Sequence, residues 1–223
     1  MTIADAEAEL DRSAFDAIAA LAHREFGLHI APEKMKMVQS RLRHRLVDLA
    51  LSDFGSYSKL VCSDRGFEER RNMISALTTN VSHFFREPHH FELLSEIGLP
   101  SVRTLIDNGD RIRIWSAGCS NGQEPFSIAM HMLNAAPSLS SADFKVLATD
   151  LDPQVVSFAA QGIYEERMVG GVSSEFKSKF AHEKDCKLHI SPSVKNLVAF
   201  RELNLLSNWP MRHKFDAIFC RNV

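Results

Sequence analysis

Residues 1 to about 90 carry apolar positions with the period of an α-helix. Four of them recur at spacings of four, four and three, which places them on one helix face. These four are Val38, Leu42, Leu46 and Leu49. Gly27 and Pro32 interrupt the pattern. We therefore predict a small all-α domain with helices at residues 15–26, 33–50, 67–78 and 89–97.

Beyond about residue 110, short β-type apolar runs alternate with helical segments. Such alternation predicts βαβ units around a parallel sheet, so the fold class is α/β. Strands are predicted at residues 111–116, 145–150, 197–203 and 215–220, and helices at residues 125–134 and 153–161. A small antiparallel β insertion is predicted at about residues 183–200.

The boundary between the two parts is predicted within residues 98–110. Pro100 and the pair Asn108 and Gly109 interrupt regular structure there. The predicted domains are thus residues 1–97, helical with a linker, and residues 98–223, α/β.

Composition narrows the classes of function. The chain has 223 residues, with 45% apolar and 24% charged, which suits a globular protein with a sizeable core. The net charge of −2 excludes a polybasic protein drawn to nucleic acid or to anionic membranes. The first twenty residues are acidic, and the longest apolar run in this part of the chain covers only residues 17–22. We therefore expect no signal peptide, no membrane insertion and a cytoplasmic location.

The cysteines and histidines show no metal-binding pattern. No cysteine lies in a C-x-x-C or C-x-x-H pair, which excludes zinc-finger and thioredoxin-type sites. Scattered cysteines suit a reducing compartment. The ten histidines, including the pair His89 and His90, show no ligand spacing with cysteines or acids. We predict no metal site.

A glycine-containing turn joins the first predicted strand to a helix. Residues 115–125 read WSAGCSNGQEP, and Gly118 and Gly122 would let the backbone approach a ligand closely. The match to G-x-G-x-x-G is imperfect. A generic strand-to-helix turn therefore remains an equal alternative.

Two acids lie at the carboxyl end of the next predicted strand and just after it. Asp150 lies where nucleotide-binding α/β folds place a carboxylate for the ribose hydroxyls. Asp152, directly before Pro153, fits the N-cap of a helix better. A turn without a third glycine, followed by such an acid, suits S-adenosylmethionine (SAM) as well as NAD.

Six segments extend a resemblance over most of the chain, from about residue 27 to residue 223. In order they read TTNVSHFFRE, WSAGCSNGQEPFSIAM, ATDLDP, AAQGIYEERMV, SVKNLVAFRELNLL and FDAIFCRNV. Together they resemble the CheR family of chemotaxis protein-glutamate O-methyltransferases. The resemblance implies a Rossmann-like SAM-dependent methyltransferase domain behind the helical domain. It also implies chemoreceptor glutamates as substrate, SAM as methyl donor and S-adenosylhomocysteine as product.

The glycine turn and the resemblance together indicate ten cofactor-binding positions. These are Asn80, Ser82, Arg86, Gly118, Glu124, Asp150, Asn204, Leu205, Arg221 and Asn222.

The resemblance gives most of these positions a role. Arg86 would hold the SAM carboxylate, with Asn80 and Ser82 close by. Glu124 would face the amino-acid part of the ligand, and Asp150 the ribose. The other positions would flank adenine or line the site after the last strand, namely Asn204 and Leu205, then Arg221 and Asn222. Structural alternatives stay open: a turn cap for Asn80, a pair between Arg86 and Glu87, and a core position for Leu205.

The methyl-transfer reaction needs no strong general acid or base from the protein. A glutamate side chain is ionised near neutral pH, so its attack on a sulfonium methyl group needs no strong general base. The site supplies positioning and desolvation. We therefore assign no catalytic residue.

The predicted helix at residues 33–50 carries a basic row beside its apolar stripe, formed by Lys34, Arg41 and Arg45. A solvated face is the simpler interpretation. The resemblance favours a surface for glutamate-rich receptor helices, which makes Arg41 and Arg45 predicted substrate-binding residues. Residues 186–200 lack glycine, and because tail-binding members of the family have a glycine-bearing turn there, we expect no binding of a receptor tail peptide.

In the family, the segment CRNV continues into further strands, whereas this sequence stops at Val223. We therefore expect an incomplete sheet, with residues 215–220 near an edge, and activity in doubt. Two alternatives stay open: a SAM-binding or receptor-binding module without turnover, and a methyltransferase for another substrate.

Overall fold

The computed structural model describes residues 8–78 and 80–223. Residues 1–7 of the acidic start, which is predicted not to be a signal peptide, lie outside that range, as does residue 79 of the segment TTNVSHFFRE. The chain divides into two compact units, Met1–Thr79 and Asn80–Val223. The division comes earlier than the predicted boundary, because buried residues of segment 89–108, such as Phe91 and Val102, belong to the core of the second unit.

The first unit is all-α, as predicted. Its helices are α1 (Arg12–Phe26), α2 (Met35–Asp48), α3 (Phe54–Cys62) and α4 (Phe67–Leu77). The carboxylate of Asp11 caps α1, and Gly27 ends it in the left-handed conformation at φ 73°. Three stripe residues of α2 are buried in this unit's core, namely Val38, Leu42 and Leu46.

Helix α3 was not predicted. Its sequence, FGSYSKLVC, includes a glycine and two serines, which lower helix propensity. Asp53 starts it by accepting a hydrogen bond from the backbone N–H of Ser56 at 2.7 Å. Its buried residues Phe54, Tyr57 and Val61 then hold it in the core.

The second unit alternates helices and strands. Its helices are α5 (His89–Leu93), α6 (Leu99–Asn108), α7 (Gln123–Ala135), α8 (Pro153–Gln161), α9 (Ser174–Phe180) and α10 (Pro192–Lys195). A π-helical turn, Leu94–Gly98, joins α5 to α6. Its strands are β1 (Ile112–Ala117), β2 (Phe144–Asp150), β3 (Ile163–Glu165), β4 (Ala181–Lys184), β5 (Lys187–Ile190), β6 (Val198–Glu202) and β7 (Ala217–Cys220).

Four strands form a parallel sheet in the order β6-β2-β1-β7. Trp115 of β1 pairs with Leu147 of β2 and with Ile218 of β7, while Val146 pairs with Val198 of β6. The predicted α/β class is confirmed, and all four predicted strands are present. Because the strands are parallel, their carboxyl ends share one edge, where ligands bind in such folds.

Three short strands form a separate antiparallel sheet in the order β3-β5-β4. The predicted insertion at about residues 183–200 is present but displaced. Its first strand is Ile163–Glu165, which lies before the predicted range, whereas Val198–Glu202 pairs with β2 in the main sheet. Asp185 and Cys186, at φ 52° and 57°, form the turn between β4 and β5 without a glycine. No helix among residues 8–78 and 80–223 is long and apolar enough to cross a membrane.

Candidate functional site

The glycine turn follows β1 at the carboxyl edge of the parallel sheet. Gly118 and Gly122 have φ of 74° and 85°, which few other residues adopt. A Cβ at Gly122 would lie 2.7 Å from the Cβ of Ala159 and 2.9 Å from the hydroxyl of Tyr164. A Cβ at Gly118 would lie 2.5 Å from Cγ2 of Val223. Close packing thus requires glycine at position 122, whereas at position 118 the neighbour is an exposed side chain and the positive φ is the stronger requirement.

Asp150 lies at the end of β2 beside this turn. Its Oδ2 accepts from the backbone N–H of Ser120 at 2.8 Å, and its Oδ1 from that of Asp152 at 3.0 Å. Burial raises the pKa of Asp150, although these two N–H groups act in the opposite direction. A carboxylate offers about four acceptor positions, so the fixed group can still accept from ribose hydroxyls.

Asp152 caps α8, as predicted. Its Oδ1 accepts from the backbone N–H of Gln154 at 2.9 Å. The side chain is 1% exposed, and its Oδ2 accepts from the amide of Asn80 at 2.9 Å. The second contact was not predicted, because it joins residues that are 72 positions apart.

Residues 80–87 form a loop against the glycine turn and α7. The carbonyl of Asn80 accepts from the side chain of Asn121 at 2.9 Å, and the backbone N–H of Phe85 donates to the hydroxyl of Ser127 at 3.0 Å. The carbonyl of Ser82 accepts a longer bond, 3.5 Å, from Gln123. The structure therefore brings Asn80 and Ser82 to the same edge as Gly118 and Asp150.

Arg86 lies on this loop without an acidic partner in the described residues. Its Nη1 donates to the carbonyl of Val81 at 3.3 Å. The neighbouring Glu87 pairs instead with Arg221, at 3.2 Å. The alternative of a pair between Arg86 and Glu87 is therefore not the arrangement in the structure.

Glu124 and Arg221 form an ion pair that the sequence did not predict. Nε and Nη2 of Arg221 both lie 2.6 Å from Oε2 of Glu124. Oε1 of Glu124 accepts from the hydroxyl of Ser116 at 2.7 Å. The side chain of Arg221 is 11% exposed and that of Glu124 is 9% exposed. Both were predicted to face the ligand, but each has its main contacts within the protein.

Glu87 joins the histidine pair in a cluster. One ligand atom from each of Glu87, His89 and His90 lies within 4.8 Å of the others, a grouping that was not predicted from the sequence. Nη1 of Arg221 lies 2.9 Å from Nδ1 of His90 and 3.2 Å from Oε2 of Glu87. The guanidinium thus already supplies a cation to this cluster.

Two buried polar atoms of the glycine turn have no hydrogen-bond partner among the described residues. They are Oγ of Ser120 and Oε1 of Gln123, a side chain that is 1% exposed. A buried acceptor without a donor is costly, and a bound ligand that supplies one removes the cost. Gln123 was not singled out from the sequence, although it lies directly beside Glu124.

The remaining predicted positions follow β6 and β7. Oδ1 of Asn204 accepts from the backbone N–H of Leu206 at 2.9 Å, so this residue caps a turn. Leu205 is half-buried, and Asn222 is exposed with φ 56°. Because they follow parallel strands, these residues belong to the carboxyl edge of the sheet.

The predicted substrate-binding residues lie on α2 of the first unit and have partners there. Nη1 of Arg41 donates to the carbonyls of Leu77, at 2.5 Å, and of Thr78, at 3.2 Å. Arg45 binds both carboxylate oxygens of Glu69, at 2.9 and 2.6 Å. The predicted basic row is therefore tied into the helical unit at these two positions.

The pair between Arg45 and Glu69 is largely buried, the two side chains being 15% and 7% exposed. Tyr57 adds a hydrogen bond to Oε1 of Glu69 at 3.0 Å. Burial acts to raise the pKa of Glu69, but the hydrogen bonds from Arg45, Asn72 and Tyr57 outweigh it, and the pKa is lowered. Glu69 is therefore held as a carboxylate that stabilises the packing of α2 against α4.

Comparison with protein families matches both units. Residues 80–223 match the CheR methyltransferase SAM-binding domain, and residues 13–78 match the CheR methyltransferase all-alpha domain. Among curated relatives, a probable chemotaxis protein methyltransferase of Rhizobium etli is 42% identical over 90% of this chain and 76% of the relative. The chemotaxis protein methyltransferase of Borreliella burgdorferi is 35% identical over 91% and 74%. That of Escherichia coli is 36% identical over 94% and 72%. The resemblance found in the sequence is thus confirmed, and the chain belongs to the CheR family of methyltransferases.

Proposed function

We propose that this protein methylates glutamate side chains of chemoreceptors in the cytoplasm. SAM is the proposed donor, and the products are a glutamate methyl ester and S-adenosylhomocysteine. Family membership supports methyl transfer, and the relatives' names support chemotaxis as its setting. The observation that carries the proposal is the convergence of the loop at residues 80–87, the glycine turn and Asp150 on one sheet edge.

The groups at this edge fit the parts of SAM. Arg86 carries a guanidinium without an ion-pair partner in the described residues, which suits the ligand's carboxylate. Gln123 offers a buried acceptor without a donor, which suits an ammonium group. Asp150 is fixed by two backbone N–H groups and suits the ribose hydroxyls. Asn204 and Leu205 are proposed to flank the adenine.

When bound, SAM supplies an electrophilic methyl group. The protein's residues then have to orient the donor, exclude water and hold the acceptor carboxylate in line. The acceptor glutamate is ionised near neutral pH, so no residue is assigned to remove a proton. Rate enhancement is proposed to come from positioning and desolvation.

Receptor recognition is proposed to use the solvent-exposed side of α2. Lys36 and Arg43, seven positions apart, are exposed together on that side, whereas Arg41 and Arg45 of the predicted basic row lie on the other side of the helix and have partners inside the unit. Exposed cations attract a glutamate-rich surface over long range and are screened by salt. We therefore assign the initial attraction to Lys36 and Arg43, with Arg41 and Arg45 adding less.

The test is transfer of a labelled methyl group from SAM to receptor-containing membranes, followed by mild base. We expect label that base releases, as for a carboxyl methyl ester. The Arg86→Ala variant should transfer much less, whereas Arg103→Ala, at an exposed position on α6, should match the wild type. Label that resists base, or equal transfer by all three proteins, would contradict the proposal.

A further inference from the structure

The guanidinium of Arg221 has partners on all three of its nitrogens. Nε and Nη2 contact Glu124, while Nη1 donates to the backbone carbonyl of Arg86 at 2.8 Å. Nη1 also contacts Glu87 and His90. Arg221 therefore links the end of β7 to the start of α7 and to the loop at residues 80–87.

These contacts fix parts of the site that are far apart in sequence. Glu124 and Arg86 lie 97 and 135 positions from Arg221. Ser116 of β1 holds the other oxygen of Glu124 at 2.7 Å. A continuous chain of hydrogen bonds therefore runs from β1, through Glu124 and Arg221, to the backbone that carries the Arg86 side chain.

The backbone around Arg86 needs such support. Phe85 and Glu87, on either side of it, have φ of 52° and 56°, in the left-handed region that side chains disfavour. Residues persist there when the surrounding structure holds them. The hydroxyl of Ser127 accepts a hydrogen bond from the backbone N–H of Phe85, and Arg221 donates one to the backbone carbonyl of Arg86.

We propose that Arg221 is a positioning residue, which acts on the cofactor through Arg86 rather than by touching it. Its side chain holds the loop so that the Arg86 guanidinium meets the carboxylate of SAM. This inference rests on the proposed function of the site. It also requires arginine itself, because a lysine ammonium cannot contact Glu124 and the Arg86 carbonyl with a planar fork.

The proposal separates two ligands that share an adenosine part. SAM has the amino-acid carboxylate that Arg86 is proposed to bind, and 5′-methylthioadenosine lacks it. Arg221→Gln should lower the affinity for SAM by about ten-fold or more and change the affinity for methylthioadenosine by less than about two-fold. Arg221→Lys should weaken SAM nearly as much. A general loss of structure would weaken both ligands together.

The experiment is calorimetry with both ligands on the full chain. It uses wild type, Arg86→Ala, Arg221→Gln and the double variant, with Arg103→Gln as an exposed control. If Arg221 acts through Arg86, replacing Arg221 in the Arg86→Ala background should raise the dissociation constant for SAM by less than about two-fold. Multiplicative losses in the double variant, or equal losses for both ligands, would overturn the proposal.

Three further outcomes separate the role of Arg221 from the proposed function. If Arg221→Gln does not fold, Arg221→Lys takes its place in the same cycle and should show the same selectivity for SAM. If the wild type binds neither ligand, the proposed function itself fails. Wild-type binding with unchanged SAM affinity in a folded Arg221→Gln variant rejects only the role of Arg221.

Discussion

The amide of Asn80 donates a 2.9 Å hydrogen bond to Oδ2 of Asp152, whose Oδ1 caps α8. The residue assigned to a structural role from the sequence thus also holds one end of the proposed SAM-binding loop. Asp150, two positions earlier, holds the glycine turn instead through the backbone N–H of Ser120. The two acids therefore support different parts of the same site.

Replacing the two acids should have different effects. Asp152→Ala should lower the free energy of unfolding by about 1 kcal/mol or more, because it removes both the N-cap of α8 and the hydrogen bond from Asn80. Asp150→Ala should mainly weaken binding of both SAM and methylthioadenosine, because Asp150 is the proposed partner of the ribose hydroxyls that both ligands carry. Thermal unfolding and calorimetry measure the two effects. If Asp152→Ala instead weakened binding of both ligands and Asp150→Ala mainly lowered the unfolding free energy, Asp152 would be the ribose acid.

Arg86→Ala should weaken SAM by a factor of about ten or more. Loss of a charge-assisted hydrogen bond costs about 1.5–3 kcal/mol, and 1.4 kcal/mol is tenfold in affinity. Methylthioadenosine should bind as to wild type, because it has no carboxylate. An unchanged dissociation constant for SAM in a folded variant would reject the assignment.

Arg45→Ala should strongly destabilise the helical unit. It leaves Glu69 buried without its cation, and loss of one partner of a buried pair costs about 3 kcal/mol or more. Arg43→Ala on the same helix is exposed and serves as the matched control. Equal unfolding free energies for the two variants would show that the pair contributes little.

The same pair predicts a pH dependence. Because the pKa of Glu69 is lowered in the folded state, its ionisation stabilises the protein above the ordinary glutamate pKa. That contribution is lost as pH falls through the lowered value. The stability difference between wild type and Glu69→Gln should therefore shrink below about pH 4. A difference that stays constant down to pH 2 would contradict the assignment.

Charge reversal on the exposed side of α2 should affect receptor binding alone. Lys36→Glu with Arg43→Glu should leave SAM affinity unchanged, slow association with receptor and flatten its salt dependence. Arg41→Glu with Arg45→Glu is a poorer test, because it breaks contacts within the unit. Association as fast as wild type at low salt would show that this side is only solvated.

Much of the fold follows from local pattern. The stripe of α2, the cap at Asp152 and the four parallel strands depend on spacing and on neighbours in sequence. Spacing and neighbours in sequence do not determine the pairs of Arg45 with Glu69 and of Arg221 with Glu124. These pairs join residues 24 and 97 positions apart, and only the packed structure decides which arginine meets which acid. The roles that the resemblance gives Arg45 and Arg221 stay predictions, but the acids with which the two arginines pair could not be predicted from sequence spacing.

The most direct measurement maps the methylated residue. Purified receptor cytoplasmic domain is incubated with the protein and SAM, digested, and analysed by mass spectrometry. We predict a methyl ester on glutamate side chains, absent without SAM and greatly reduced with Arg86→Ala. A protein that binds SAM but leaves every receptor glutamate unmodified, or methylates a different residue type, would contradict the proposed function.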